Sequence, residues 1–102
     1  MQIELLYLDG CPSYRVAENW LREVLAEANV PDPITMIEIK TEMDAQHWKF
    51  PGSPTIRFGG VDPFAQGEAS YGLECRVYVT PDGLRGWPTK HMLREALNKA
   101  AE

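Results

Sequence analysis

The chain lacks most of the features that would set its class at once. No run of about 18 apolar residues is present, so no segment reads as a membrane-spanning helix. Ten Lys and Arg are scattered from Arg15 to Lys99 with no basic run, and a formal net charge of −5 argues against nucleic acid as a partner. Internal repeats, low-complexity tracts and linkers are missing from the 102 residues. Cysteine is scarce: Cys11 and Cys75 stand 64 positions apart, which is no disulfide framework. His47 and His91 stand alone in polar surroundings and make no zinc spacing with the two cysteines, so no metal site is expected. The opening Met1-Gln2-Ile3-Glu4 has no basic region ahead of its apolar run, and the reading is of a cytoplasmic protein with no membrane partner. In a reducing compartment an isolated thiol is more often catalytic or simply buried than bridged.

What is present is enough for one domain spanning residues 1–102. With 44% hydrophobic and 25% charged residues, a chain of this length buries about two-thirds of its unfolded surface and needs no metal or disulfide to stay folded. Ile3 to Leu8 is a nearly unbroken apolar run ended by Asp9-Gly10, the pattern of a strand covered on both faces. From Pro12 to about Ala28 the period becomes helical: Val16, Ala17, Trp20, Leu21, Val24, Leu25 and Ala28 share one face. Pro12 suits a first turn, and Pro31 and Pro33 stop the helix.

Ile34 to Ile39 reads as a second strand, parallel to the first through a right-handed crossover. Thr41, with Asp44 three residues on, caps a short second helix before Pro51-Gly52. Thr55 to Phe58 and Cys75 to Val79 read as two more strands, the second followed by a Pro81-Asp82-Gly83 turn. Thr89 caps a last helix with Met92, Leu93, Ala96, Leu97 and Ala100 as its apolar stripe. The order is β-α-β-α-β-β-α, an α/β fold in which helices flank a four-stranded mixed sheet.

This order, together with Cys11-Pro12-Ser13-Tyr14 after the first strand and Gly52-Ser53-Pro54-Thr55 before the third, resembles the thioredoxin/glutaredoxin superfamily over nearly the whole chain. More narrowly, Tyr-Leu-Asp-Gly-Cys-Pro-Ser-Tyr and the later Gly-Leu-Glu-Cys-Arg-Val-Tyr resemble small bacterial thioredoxin-like proteins, some of which carry selenocysteine at the leading cysteine. The resemblance implies a nucleophile at Cys11 and a cis-proline at Pro54. Tyr14 stands where a dithiol motif has its second cysteine, and Pro12 replaces the glycine of cluster-binding monothiol glutaredoxins. A local dithiol and an iron–sulfur cluster are both disfavoured by that comparison.

Cys11 sits where unpaired helix N–H groups and the helix dipole favour a thiolate, and each pKa unit of depression is worth about 1.4 kcal/mol. The bland reading is a small buried cysteine. Tyr14, one turn later, either reaches the sulfur with its hydroxyl or shields it with its ring. With Pro12 and Ser13 beside the thiol, a cis Pro54 leaves the Ser53 backbone available to an extended peptide or a glutathione-like backbone. Arg76 and Tyr78 share one strand face, where the arginine pairs with an acidic side chain or a substrate carboxylate. Cys75 opens the fourth strand at the end far from Cys11; five strand residues extend about 17 Å, beyond the ~7 Å Cα separation a disulfide tolerates. The long loop from Gly59 to Glu74 is the feature able to change that geometry, and it is a candidate lid. Cys75 is therefore kept as a candidate catalytic residue that resolves Cys11, against the bland reading of a half-buried strand residue.

The expected function is a thiol-dependent oxidoreductase in which Cys11 attacks a disulfide or peroxide and an external thiol such as glutathione closes the cycle. No other cofactor is expected, and the partner is a small thiol or a disulfide-bearing protein. Two alternatives remain open at this point. One is a non-enzymatic binding module using the Ser53-Pro54 edge and the 59–74 loop; the other is a soft-metal, mercury-binding thiol protein.

Overall fold

Strand β1 (Ile3–Tyr7) is the central strand of the main sheet, as its nearly unbroken apolar run predicts. Ile3 and Leu5 point to one face and join a core with Ala17, Leu21 and Val24, while Leu6 points to the other and joins Ile39, Ala45 and Phe50. Each large side chain taken fully out of water contributes about 1.5–3 kcal/mol, so β1 anchors both layers. The structure is a computed structural model that describes residues 1–67 and 70–102.

Helix α1 (Ser13–Glu27) follows, one residue shorter at each end than its sequence pattern suggested, with Pro12 as the flanking residue. Tyr14, Ala17, Leu21, Val24 and Leu25 are its buried side chains. The chain leaves the helix through Asn29 in the left-handed region, and the Val30 N–H bonds the Leu25 carbonyl at 2.9 Å. Strand β2 (Ile34–Glu38) then pairs with β1 in parallel, Leu5 opposite Met36.

The short helix α2 (Glu42–His47) starts with the expected cap. Thr41 accepts from the Asp44 N–H, and Asp44 returns a bond to the Thr41 N–H. Phe50 then plugs the second core layer. Strand β3 (Thr55–Phe58) runs antiparallel to β1, Leu5 opposite Ile56, giving a three-stranded mixed sheet in the order β2-β1-β3.

The expected fourth strand does not join this sheet. Cys75 makes an isolated parallel bridge to Ser53, and regular strand begins only at β4 (Tyr78–Thr80), which forms a separate hairpin with β5 (Gly83–Arg85) around Pro81-Asp82. The reason lies in where the backbone bonds go. Gly72 N–H bonds the Phe50 carbonyl at 3.2 Å, and the main-chain groups of Glu74 and Arg76 are taken by Ser53, so this stretch lies along the approach to β3. Helix α3 (Lys90–Ala100), capped by Thr89, closes the first core layer with Leu93, Ala96 and Leu97. Over the described residues the fold is thus mixed α/β with three helices, a three-stranded sheet and a two-stranded one. No helix among the described residues is long and apolar enough to cross a membrane.

Candidate functional site

Cys11 lies at the turn between β1 and α1, its N–H bonded to the Leu8 carbonyl at 3.0 Å. Pro12 has no side chain to cap the helix, so α1 begins with no side-chain acceptor on its first N–H groups. Cys11 is 3% exposed. Ser53, wholly buried, approaches from the loop before β3: its hydroxyl accepts from the Leu8 N–H at 2.9 Å, and its carbonyl lies 3.9 Å from the Cys11 sulfur. The Ser53-Pro54 peptide bond is cis, and Pro54 is buried.

Cys75 is where the expectation fails most instructively. Its thiol donates to the Cys11 sulfur at 3.0 Å, although 64 residues separate them. The cause is the parallel bridge, not a strand returning from the far end. Ser53 N–H donates to the Glu74 carbonyl at 2.9 Å and the Ser53 carbonyl accepts from Arg76 N–H at 2.8 Å, which brings Cys75 alongside. Both sulfurs are free thiols; Cys11 is buried and Cys75 exposed.

The same two bonds correct the role expected for the Ser53 backbone. Its N–H and C=O are already used by the chain itself, so an extended peptide finds neither available. Gly52 makes the close approach possible. It sits at φ +143°, and a Cβ there would stand 3.0 Å from Arg76 Cβ and 3.2 Å from Arg76 N.

Arg76 is held rather than free. Its guanidinium pairs with Asp62 at 2.7 Å, donates to the Phe64 carbonyl at 2.6 Å and lies over the Tyr78 ring at 4.6 Å. The Tyr78 hydroxyl donates in turn to the Pro54 carbonyl, and burial pushes the phenol well above its usual range. Arg76 thus meets an acidic side chain, one of the two partners expected for it. The Asp62-Phe64 stretch and Tyr78 fix the segment that carries Cys75. Sequence reasoning had no signal for Asp62, since nothing marks which carboxylate of an irregular loop will meet a distant arginine. Of the loop from Gly59 to Glu74, proposed as a lid, positions 68 and 69 lie outside the described residues.

Tyr14 is buried, and its ring stacks on Tyr7 with centroids 4.3 Å apart within the first core layer. The shielding reading of Tyr14 thus has a packing contact behind it, whereas no side-chain hydrogen bond from its hydroxyl to the sulfur is found among the described residues. Ser13 is half-buried against Gly86, where a Cβ would stand 2.4 Å from the Ser13 hydroxyl oxygen.

The local donors set the acidity of the pair. Burial pushes the Cys11 thiol up, but the hydrogen bond from Cys75, the Ser13 N–H and the hydroxyls of Ser53 and Ser13 outweigh it, so its pKa lies below the ordinary thiol value. Cys75 moves the other way: its bond to Cys11, then burial, then the charge on Cys11 hold its proton on. The two titrate as a pair, Cys11 first. No group of three or more His, Cys, Asp and Glu side chains among the described residues is placed to hold a metal ion.

Comparison with protein-family models, with curated proteins and with solved structures gives no match.

Proposed function

We propose that this chain is a thiol–disulfide oxidoreductase of thioredoxin-like type in which Cys11 is the nucleophile and Cys75 the resolving thiol. The observation that carries the reading is the 3.0 Å separation of the two sulfurs, with an acidified, buried Cys11 and a proton-retaining, exposed Cys75. A disulfide bond needs about 2.05 Å, so closure asks for about 1 Å of approach by two side chains already in contact.

The Cys11 thiolate attacks one sulfur of a substrate disulfide, forms a mixed disulfide, and expels the other half as a thiolate that takes up a proton. The Cys75 thiol then loses its proton and attacks Cys11 Sγ. That step releases the second half of the substrate and leaves a Cys11–Cys75 disulfide. Two electrons have passed from the protein dithiol to the substrate, and two external thiols restore the dithiol. Tyr14 in the place of a nearby cysteine points to an external thiol. With Cys75 in contact, the external thiol serves instead to re-reduce the protein, as a cytoplasmic thiol pool would.

Support for the thioredoxin-like assignment comes from β1 pairing parallel with β2 and antiparallel with β3, from Cys11 at the start of α1, and from the cis bond entering β3. The non-enzymatic binding reading needs the Ser53 backbone, which Glu74 and Arg76 already occupy. The soft-metal reading rests on the same two sulfurs and draws no third ligand group from the described residues.

The test is stoichiometric oxidation of the reduced protein with glutathione disulfide. The expected products are an intramolecular Cys11–Cys75 disulfide and two equivalents of glutathione. The Cys75→Ser variant stops at a Cys11 mixed disulfide, and Cys11→Ser reacts no faster than an unfolded thiol. A wild-type protein that stops at the mixed disulfide sinks the proposal.

A further inference from the structure

The β4–β5 hairpin is pinned at both ends beside the sulfur pair. At its start Tyr78 is buried and its hydroxyl holds the Pro54 carbonyl. At its end Trp87 packs against the first core layer and Pro88 is fully buried. Between β5 and Trp87 comes Gly86, which meets Ser13 at the start of α1. A Cβ on Gly86 would stand 2.4 Å from the Ser13 hydroxyl oxygen and 3.0 Å from the Ser13 Cβ. Its chain neighbours aside, nothing else among the described residues lies within 4 Å of that position. Gly86 is not one of the glycines with a positive φ, so it is space rather than backbone conformation that calls for a glycine here.

We infer that Gly86 is a positioning residue for the nucleophile: bare at this point of the hairpin, it leaves Ser13 the room to keep its hydroxyl on the Cys11 sulfur. The inference rests on the exchange reading above and adds the element that sets the donors of the nucleophile. Both the N–H and the hydroxyl of Ser13 bond to Cys11; Ser53 supplies a second hydroxyl, and Cys75 is the titratable group in hydrogen-bond contact with the sulfur. Because both ends of the hairpin are fixed, the clash made by Gly86→Ala is relieved at Ser13. Its Cβ–Oγ bond swings to another staggered position, and the hydroxyl leaves the sulfur. The thiolate then loses one of the hydrogen bonds that favour it. Neither sulfur lies within 4 Å of the Gly86 Cβ position, so Gly86 acts on the reaction through Ser13.

The experiment follows the rate of Cys11 alkylation by iodoacetamide against pH, with peptide mapping to separate Cys11 from Cys75, and the urea midpoint of each variant. Gly86→Ala is expected to move the profile to higher pH by about one pH unit, the scale of one hydrogen bond to a charged group, with little change in the midpoint. Ser13→Gly removes both atoms that the added methyl group meets and moves the profile by a similar amount. In the double variant Gly86→Ala adds nothing to the shift of Ser13→Gly. Should Gly86→Ala alone fail to fold, recovery of the fold in the double variant supports the contact, and no recovery overturns it. A Gly86→Ala profile that stays at the wild-type position, or a shift that adds in full to that of Ser13→Gly, overturns the role of Gly86. If glutathione disulfide still yields the Cys11–Cys75 disulfide in that case, the exchange reading stands. A wild-type Cys11 that alkylates as an ordinary thiol and forms no intramolecular disulfide overturns the exchange reading and this inference together.

Discussion

Arg76 and Asp62 form an ion pair at 2.7 Å with side chains only 9% and 12% exposed, and the pair braces the segment that the Ser53 bridge brings alongside Cys11. The guanidinium also reaches the Phe64 carbonyl and the Tyr78 ring, so one side chain ties the loop after β3 to the residue next to Cys75.

Removing either partner strands a mostly buried charge. Asp62→Ala is expected to lower stability by about 3 kcal/mol, the lower end of the cost of breaking a buried pair, measured by urea unfolding. Formation of the Cys11–Cys75 disulfide slows in the same variant, because Cys75 loses its anchor. Unchanged stability with unchanged closure would show that the ion pair positions nothing.

Gly52→Ala tests the close approach of the two segments. The residue sits at φ +143°, and an added Cβ presses on Arg76 backbone atoms that cannot rotate away. The expected cost is about 1–3 kcal/mol for the backbone conformation alone. Displacement of the Glu74–Arg76 stretch also lowers the yield of intramolecular disulfide relative to mixed disulfide with a small thiol. Equal yields would mean that the bridge tolerates the methyl group.

The acidity of Cys11 depends on its neighbour. Its pKa is lowered in the folded protein, so its thiolate persists, and its alkylation rate reaches a plateau, at lower pH than for an ordinary thiol. Cys75→Ala removes the largest of the donors that favour the anion. The pH–rate profile for alkylation of Cys11 is therefore expected to move to higher pH in that variant. Cys75→Ser, which keeps a hydroxyl donor, shifts it less. A profile that does not move in Cys75→Ala places the acidification in the helix terminus and Ser13 rather than in the sulfur pair.

Local patterns in the sequence were legible where one element decides its own form. The nearly unbroken apolar run of β1, the 3.6-residue period of α1, the Thr41 and Thr89 caps and the Gly-Ser-Pro-Thr entry to β3 each appear where expected. The location of Cys75 was not legible. A β-rich run such as Cys-Arg-Val-Tyr-Val reads as one strand, yet its first half is claimed by the backbone of Ser53 and only Tyr78 onward enters a ladder. Alternation survives even so, with Arg76 and Tyr78 inward and Val77 and Val79 outward. Side-chain direction is thus a local property, while the partner of a strand is set by contacts made across the whole chain.

The Glu74–Arg76 stretch on Ser53 has a consequence for competition. A segment tethered to its own binding edge is present there at an effective concentration on the order of millimolar. Any outside polypeptide that pairs with the Ser53 backbone must first outcompete this built-in occupant, which discounts its apparent affinity by the ratio of that local concentration to the tethered segment's own dissociation constant. A small thiol or disulfide that meets the exposed Cys75 sulfur without pairing to the Ser53 backbone faces no such discount. If the proposed exchange chemistry holds, the occupied edge favours small thiols and disulfides over extended polypeptides as its partners.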